Sequence, residues 1–180
     1  MEKISFSHSY GWEILDGFPP YQTIINFPED KRRDSVSFVV EIIPVEGNIW
    51  IGNFSGSGLG YSYSVFPTPN NDVICVNSEG IFYFVNSIFP SEFFVVPIVP
   101  IVEIFPSYEY NCMILVGFNK VAFYDTNGLK WVTKVSHDGI KITKINRENI
   151  IGFAWDPSKD QNVEFEIDVE TGVSKGGSGL

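Results

Sequence analysis

The shortage of strong helix-forming residues is the feature that most constrains how this chain folds. Alanine occurs only twice and leucine five times, whereas isoleucine and valine together occur 40 times. Phenylalanine, tyrosine and tryptophan make up another 16% of the 180 residues. Branched and aromatic side chains pack well on a pleated sheet, and they lose rotamer freedom in a helix. Because 16 glycines and 11 prolines also punctuate the chain, the composition predicts an all-β fold.

The chain length indicates a single β domain spanning residues 1–180, since most domains hold about 100–200 residues. A domain of this size buries enough core without needing a disulfide or a structural metal. Cys75 and Cys112 each lie beside a strand pattern. We therefore expect small buried side chains with reduced thiols, as in a cytosolic protein. Residues 173–180 are expected to form a flexible tail.

Short apolar or alternating runs follow one another between turn residues, which is typical of antiparallel meanders. Residues 77–80 are expected to form a four-residue hairpin loop between the strands 73–76 and 81–85. Asn119 and Lys120 are expected to form the corresponding turn between the strands 113–118 and 121–125. The segment 55–60, SGSGLG, is expected to be a flexible connection. The predicted strands span residues 21–27, 35–43, 47–54, 61–66, 73–76, 81–85, 113–118, 121–125, 130–136, 139–145, 149–155 and 163–169.

A repeat links two of these strand pairs, because residues 73–85 match residues 113–125 at an offset of 40. A weaker third copy pairs residues 150–155 with residues 163–168 across a longer loop. Short antiparallel strands at this period are typical of propeller blades. A chain of this length holds about four blades, the lower limit for a closed ring. The pattern therefore predicts blade-like sheets that form a partial or small propeller, or that pack face to face as a sandwich.

The C-terminal part contains the most patterned stretch, VSHDGIKITKINRENIIGFAWDP, at residues 135–157. We interpret it as a three-strand meander in which residues 137–139 form the first turn and Gly139 takes a positive φ. Residues 146–149 form the second turn. Pro157 ends the last strand, because proline donates no hydrogen bond to a sheet.

The formal net charge is −10, from 12 basic and 22 acidic residues. This balance disfavours nucleic acid and anionic membranes as partners. It fits a basic protein partner, or an acidic surface that serves solubility alone. The apolar stretch 93–105 is shorter than the roughly 20 residues that span a bilayer, and the N-terminus lacks the apolar core of a signal peptide. These features favour a cytoplasmic location.

Metal and catalytic motifs are missing from the sequence. His8 and His137 are far apart, no Cys-x-x-Cys occurs, and the loop with Asp156 and Asp160 lacks the calcium-binding pattern. Ser136, His137 and Asp138 are consecutive in a turn, so their side chains point in different directions and cannot form a catalytic relay. SGSGLG fits neither a nucleophile elbow nor a phosphate-binding loop. We therefore expect no metal and no cofactor.

Residues at turns and strand ends are the remaining candidates for binding. Glu164 and Glu166 alternate with apolar residues, so we place both on the solvent face of one strand. Trp131 follows the Asn127-Gly128 turn, which places it near the surface, where an aromatic ring can anchor a partner. The candidate binding residues are Trp131, His137, Asp138, Trp155, Asp156 and Asp160.

Residues 136–177 resemble the end of a family of uncharacterised bacterial β-rich proteins. The shared pattern is Ser-x-Asp-Gly-Ile, then Gly-x-x-x-Asp-Pro, then Glu-Phe-x-x-Asp-x-x-Thr and a closing Gly-Gly. The stretch GWEILDGFPPY, at residues 11–21, is similar to the N-terminus of that family. The resemblance implies a β-rich fold and no particular activity. Some small acidic bacterial proteins of this general kind are immunity proteins, which is an analogy rather than a motif match.

Three hypotheses follow for the function. The first is an intracellular, non-enzymatic protein-binding domain with an acidic surface, one version being an immunity protein that neutralises a basic toxin. The second is a carbohydrate or small-ligand module that uses exposed tryptophan and tyrosine side chains as stacking platforms. The third is a hydrolase whose site is assembled from scattered aspartates and glutamates, which requires two carboxylates to converge in one pocket.

Overall fold

The computed structural model describes residues 4–20, 22–28 and 37–178, and these residues form an all-β protein as predicted. They contain sixteen strands in four sheets of four strands each. In this part of the chain, no helix has the length and apolar character needed to cross a membrane. The chain divides into two compact units, Met1–Val99 and Pro100–Leu180. Each unit contains two of the sheets.

The first sheet has the strand order β1-β3-β4-β2. Strands β1, β3 and β4 are antiparallel, and β2 lies parallel to β4 with Ile24 opposite Ile51. The predicted strands at 21–27, 35–43 and 47–54 correspond to β2, β3 and β4, although Tyr21 and residues 35–36 lie outside the described residues. The sequence prediction missed β1. The bounds are β1 Tyr10–Leu15, β2 Ile24–Phe27, β3 Ser37–Pro44 and β4 Trp50–Ser55.

The second sheet is a meander, β5-β6-β7-β8. The predicted four-residue loop at 77–80 is wrong, because Ser78 pairs with Ile81 and leaves a two-residue turn. Both turn residues have positive φ, 49° at Glu79 and 84° at Gly80, as a type I′ hairpin requires. The predicted strand 61–66 begins only at Ser64. The bounds are β5 Ser64–Pro67, β6 Val73–Ser78, β7 Ile81–Asn86 and β8 Phe93–Val95.

Aromatic side chains fill the space between these two sheets. Phe27 stacks on Phe54 with ring centroids 4.7 Å apart, and Tyr83 packs against both. The buried Tyr83 hydroxyl donates to the backbone oxygen of Ser55 at 2.9 Å, so its polar atom is satisfied within the core. Burial raises the pKa of Tyr83 to about 12. The core of the first unit contains Tyr10, Phe27, Phe38, Val40, Ile42, Trp50, Phe54, Ile74, Val76, Tyr83 and Val85.

The second unit repeats this plan with two meanders, β12-β11-β10-β9 in the third sheet and β13-β14-β15-β16 in the fourth. The sequence prediction did not assign β8 and β9, which occupy most of the apolar stretch 93–105. The bounds are β9 Ile101–Ser107, β10 Cys112–Gly117, β11 Lys120–Asp125, β12 Gly128–Lys134, β13 Asp138–Ile145, β14 Asn149–Asp156, β15 Gln161–Asp168 and β16 Ser174–Gly176.

The third and fourth sheets face each other across a second apolar core. Burial raises the pKa of the Cys112 thiol in this core and of Cys75 in the second sheet. Both are free cysteines with buried side chains, as predicted, and the raised pKa makes them poor nucleophiles. The core contains Cys112, Ile114, Val116, Val121, Phe123, Val135, Ile150, Ala154, Phe165 and Ile167.

Both hairpins of the predicted repeat are present, with a small change of register. The hairpin β6–β7 begins at Val73 and the hairpin β10–β11 begins at Cys112, so matching turns are 39 residues apart. The offset of 40 instead matches core-facing residues, such as Ile74 with Ile114. The third copy, β14–β15, is a hairpin as predicted. Within each unit two sheets pack face to face, an arrangement that sandwiches and neighbouring propeller blades share.

The three-strand meander predicted around residues 137–139 is wrong. β12 pairs with β11 in the third sheet, and β13 pairs with β14 in the fourth, so residues 135–137 connect two sheets. Asp-Gly chemistry sets a local bend and does not decide which strands pair. The positive φ of Gly139, 79°, is confirmed, as are the turn at 146–149 and the end of β14 at Asp156. Where the sequence predicts a flexible tail, β16 pairs with β15.

Gly152 in β14 tests how tightly the fourth sheet is packed. A methyl group there would lie 2.5 Å from the backbone oxygen of Lys141 and 2.7 Å from the ring of Phe165. We expect Gly152→Ala to lower the free energy of unfolding by about 1–3 kcal/mol, the usual cost of overpacking. Gly11→Ala is the control, because its methyl group would meet only Ile43 at 3.8 Å. Urea unfolding midpoints measure both, and equal midpoints would contradict the expectation.

Candidate functional site

The connection between the third and fourth sheets brings together four of the six predicted binding residues. Asp138 is paired with Trp155 across β13 and β14. His137 and Asp156 line an open cavity of about 490 Å³. His137 and Asp138 are exposed, Trp155 is half-buried and Asp156 is buried. The other lining residues are Pro157, Ser158, Lys159, Gly177 and Ser178.

The C-terminal segment supplies one wall of this cavity, which sequence reasoning missed because it assigned these residues to a tail. The Ser178 hydroxyl donates to the backbone oxygen of Trp155 at 2.6 Å and accepts from the backbone nitrogen of His137 at 3.2 Å. Gly176 and Gly177 both have positive φ, and a side chain on either would collide with backbone oxygen. The Gly-Gly pair was therefore the signal that this segment packs against the sheet.

Ser136 is a structural residue. Its side chain is fully buried, and its hydroxyl donates to the backbone oxygen of Gly139 at 2.9 Å. Among the described residues, no hydrogen bond joins the imidazole of His137 to Ser136 or to Asp138. The consecutive Ser136, His137 and Asp138 therefore have no relay geometry in this structure.

Asp156 closes the turn between β14 and β15. Its Oδ1 accepts from the Ser158 hydroxyl at 2.6 Å and from the Ser158 backbone nitrogen at 3.0 Å, and Lys159 Nζ lies 3.1 Å from Oδ2. The hydrogen bond from the Ser158 hydroxyl is the main reason that the pKa of Asp156 is lowered to about 2. A carboxylate engaged in this way is a turn cap and a poor general base. Asp160, in the same loop, is exposed and has a φ of 50°.

Trp131 is placed away from the cavity. Its ring stacks on Phe123 at a centroid distance of 5.6 Å, and its indole nitrogen donates to the backbone oxygen of Val169 at 2.9 Å. A methyl group on Gly172 would lie 2.6 Å from the Trp131 ring. Trp131 therefore fastens β12 to the turn between β15 and β16. The prediction that it is a surface anchor is not supported by this packing.

All four tryptophans are at least half-buried. Trp50 is in the core of the first unit, and its indole nitrogen donates to the backbone oxygen of Ser87 at 2.7 Å. Trp12, Trp131 and Trp155 have intermediate exposure. None of the four tryptophans is therefore a fully exposed ring.

The acidic residues of β15 follow the predicted alternation. Phe165 and Ile167 are buried, whereas Glu164 is exposed and Glu166 is half-buried. Glu166 and Asp168 line a second cavity, of about 340 Å³. Hydrogen bonds from the hydroxyl and the backbone nitrogen of Thr171 lower the pKa of Asp168, so this carboxylate is also a turn cap. In the part of the chain that the structure describes, no group of three or more His, Cys, Asp or Glu side chains could hold a metal ion.

Comparison with known proteins leaves the family open. No protein-family model matches the sequence. No curated protein matches it either. The resemblance of residues 136–177 to uncharacterised bacterial β-rich proteins stays a prediction.

The connection that leads into β13 at residues 137–139 is tested by two single substitutions. Gly139→Val places a branched residue at positive φ, so we expect it to lower the free energy of unfolding by about 1–2 kcal/mol. His137→Ala removes an exposed side chain and should change that free energy by less than about 0.5 kcal/mol. Thermal unfolding measures both. Loss of binding in His137→Ala at an unchanged melting temperature would instead make His137 a site residue.

Asp156 should make stability depend on acid pH. Its pKa in the folded protein lies below the ordinary value of 3.8, so its contribution is present above about pH 4 and is lost as the pH falls towards about 2. We expect the melting temperature of Asp156→Asn to fall less than that of the wild type across this window. Asp160→Asn controls for removing one negative charge from the same loop. If both variants lose stability in parallel with the wild type, Asp156 does not stabilise the turn.

Proposed function

We propose that this protein is an intracellular, non-enzymatic binding protein whose acidic surface engages a basic protein partner, with a toxin-neutralising immunity protein as the most specific form. The distribution of charge supports this proposal. Between Arg33 and Lys120 the chain contains no lysine or arginine. The described part of the first unit therefore has none. Its exposed or half-buried acidic residues are Glu13, Asp16, Glu41, Glu46, Asp72 and Glu92.

The acidic surface of the first unit includes an opposed pair of like charges. Glu13 of β1 lies directly opposite Glu41 of β3 in the antiparallel register. Like charges at this position destabilise a strand pair, and the described part of the unit offers no lysine or arginine to neutralise them. A lysine- or arginine-rich partner would relieve the repulsion and would also be steered towards this surface.

The second unit uses its acidic residues differently. Its carboxylates are accompanied by Lys120, Lys130, Lys134, Lys141, Lys144, Arg147, Lys159 and Lys175. Asp156 and Asp168 are engaged in turns, as described above. By sequence, the first unit has eleven acidic residues and four basic ones, Lys3, Lys31, Arg32 and Arg33, whereas the second unit has eleven acidic and eight basic residues. The excess of negative charge is therefore concentrated in the first unit, −7 against −3, and the proposal assigns the partner to that unit.

A carbohydrate- or small-ligand-binding module is the second candidate. Two exposed tyrosines favour it, Tyr108 at 49% and Tyr110 at 47% exposure, which flank Glu109 in the turn between β9 and β10. Exposed aromatic rings beside a carboxylate are suited to stacking on a sugar ring and accepting hydrogen bonds from its hydroxyls. The hydrolase hypothesis has less support, because Asp156 and Asp168, which line the two cavities described above, are both turn caps.

The proposed function is tested by capture of partners at two salt concentrations. The purified chain is immobilised, exposed to a native lysate, and the bound proteins are quantified by mass spectrometry. Raising the salt from about 0.1 M to about 1 M shortens the Debye length from about 10 Å to about 3 Å. We expect a basic protein that is retained at low salt and released at high salt. Recovery of no salt-sensitive protein, together with hits on a glycan array, would favour the carbohydrate hypothesis instead.

The Glu13–Glu41 pair gives this test a specific variant. Glu13→Gln/Glu41→Gln removes the opposed charges, so we expect unchanged stability or a gain below about 0.5 kcal/mol, together with slower association with the partner. Glu148→Gln/Glu170→Gln removes two exposed glutamates from the second unit and is the matched control. Stopped-flow association rates and melting temperatures measure the two effects. Equal association rates for both double variants would contradict the assignment to the first unit.

A further inference from the structure

Three of the most exposed apolar side chains of the first unit lie in loops at one of its ends. Val45 is 78% exposed and Ile49 is 59% exposed, and both belong to the loop between β3 and β4. Phe89, at 58%, belongs to the loop between β7 and β8. Apolar side chains scattered singly over a surface need no explanation, but a group of them marks a site of interaction.

Hydrogen bonds and packing hold these loops next to each other. The indole nitrogen of Trp50 donates to the backbone oxygen of Ser87 at 2.7 Å, which ties the end of the first loop to the start of the second. A methyl group at Gly47 would contact Ile88 at 3.5 Å. The Ser87 backbone nitrogen donates to the backbone oxygen of Asp72 at 2.8 Å, which brings in the loop between β5 and β6.

The segment before β1 joins two of these loops, the one between β3 and β4 and the one between β5 and β6. Val45 donates its backbone N–H to the backbone oxygen of Ser9 at 2.9 Å, and the Ser9 hydroxyl donates to Oδ1 of Asp72 at 2.6 Å. The loops that carry Val45, Ile49 and Phe89 are therefore neighbours at one end of the unit, and we call the surface that these loops form the loop-end patch. We define it by these three residues together with Glu46, Asp72 and Glu92.

The loop that carries Phe89 is ordered by its own hydrogen bonds. Oδ1 of Asn86 accepts from the backbone nitrogens of Ile88 at 2.9 Å and Phe89 at 3.1 Å. The backbone nitrogen of Glu92 donates to the backbone oxygen of Phe89 at 2.8 Å. A surface whose loops are already fixed loses little conformational entropy when a partner binds, so more of the contact energy appears as affinity.

The charge of the patch has one sign. Glu46, Asp72 and Glu92 are exposed, and the described part of the first unit has no lysine or arginine to pair with them. Apolar anchors within a polar rim are the usual anatomy of a protein–protein interface. An acidic rim excludes acidic partners, because it would leave like charges opposed in the contact.

We infer that the loop-end patch is the docking surface for a basic protein, which inserts apolar side chains between Val45, Ile49 and Phe89 and aligns lysines or arginines with Glu46, Asp72 and Glu92. This inference rests on the proposed function and assigns it a location. The patch anchors the complex and so controls dissociation, whereas the Glu13–Glu41 pair acts on association from a distance.

The test compares Ile49→Ala/Phe89→Ala with Leu59→Ala/Val173→Ala. The control removes two apolar side chains of similar exposure, 61% and 62%, from outside the patch. The probe is the purified basic protein that the salt-sensitive capture recovers, passed over each immobilised full-length variant in surface plasmon resonance, which gives both the affinity and the dissociation rate. We expect the patch variant to bind on the order of tenfold more weakly or worse, through faster dissociation, and the control to bind within about twofold of the wild type. Unchanged melting temperatures would show that both variants are folded.

Footprinting of the complex adds a readout that needs no variant. Hydroxyl-radical labelling should be reduced at Phe89 and Ile49 on binding and unchanged at Val173. Tight binding by the patch variant, with protection elsewhere, would overturn the inference and leave the proposed function intact. Failure to capture any basic protein would overturn both. If the wild type alone is a dimer that Ile49→Ala/Phe89→Ala dissociates, the patch is covered by a second copy, which also overturns the inference.

Discussion

The need of each four-stranded sheet to cover an apolar face governs the rest of this structure. A small isolated sheet is not stable in water, because the apolar side chains on its inner face would stay exposed to water. Each unit meets this need by packing two sheets against each other, with Phe27, Phe54 and Tyr83 between the sheets of the first unit. In the second unit, Ile114 and Phe123 of the third sheet face Ile150 and Phe165 of the fourth.

Face-to-face pairing turns the connections between sheets into structural elements. Residues 135–137 leave the third sheet and enter the fourth, and Val135 and Ser136 both donate backbone hydrogen bonds to the backbone oxygen of Asn119. Trp131 of the third sheet donates to Val169 beside the fourth, and Ser178, after the last strand of the fourth sheet, bonds the connection at Val135 and His137. The cavity beside His137 is thus a consequence of how the sheets are joined. Among its polar groups, Ser178 holds that connection, whereas Asp156, Ser158 and Lys159 hold the turn between β14 and β15.

Polar side chains in the turns divide into two groups with different consequences. Asn77, Asn86 and Asn146 accept hydrogen bonds from nearby backbone nitrogens, as Asp156 and Asp168 do, and these residues hold turns. Among the exposed glutamates of the first unit, Glu92 accepts a hydrogen bond from Nδ2 of Asn86 at 3.1 Å, whereas Glu13 and Glu46 accept none from a backbone nitrogen in the described contacts. Glu13 and Glu41 lie opposite each other on two paired strands, and the described residues of the first unit include no lysine or arginine to neutralise them. That unbalanced charge is what directs the functional proposal to the first unit.

Sequence patterns predicted local features well and long-range ones poorly. The alternation along β15 placed Phe165 and Ile167 inside and Glu164 outside, because the strand period is two whatever the strand packs against. The positive φ at Gly139 was predictable for the same reason, since it depends only on the residue and its bend. The pairing of β12 could not be predicted from the sequence. The Asp-Gly turn chemistry is equally compatible with a hairpin and with a connection to another sheet.

The sequence by itself determined the all-β class, the three hairpins β6–β7, β10–β11 and β14–β15, the excess of negative charge and the lack of a catalytic motif. These properties depend on residue type and on spacing over a few positions, where backbone sterics and side-chain chemistry act locally. Only the tertiary structure decided which carboxylates are engaged in turns, which tryptophans are covered, and which exposed apolar side chains share a surface. Those properties depend on contacts between residues distant in the chain, such as Trp50 with Ser87 and Trp131 with Val169. No local pattern encodes such contacts, because they arise from the requirement that two apolar faces meet.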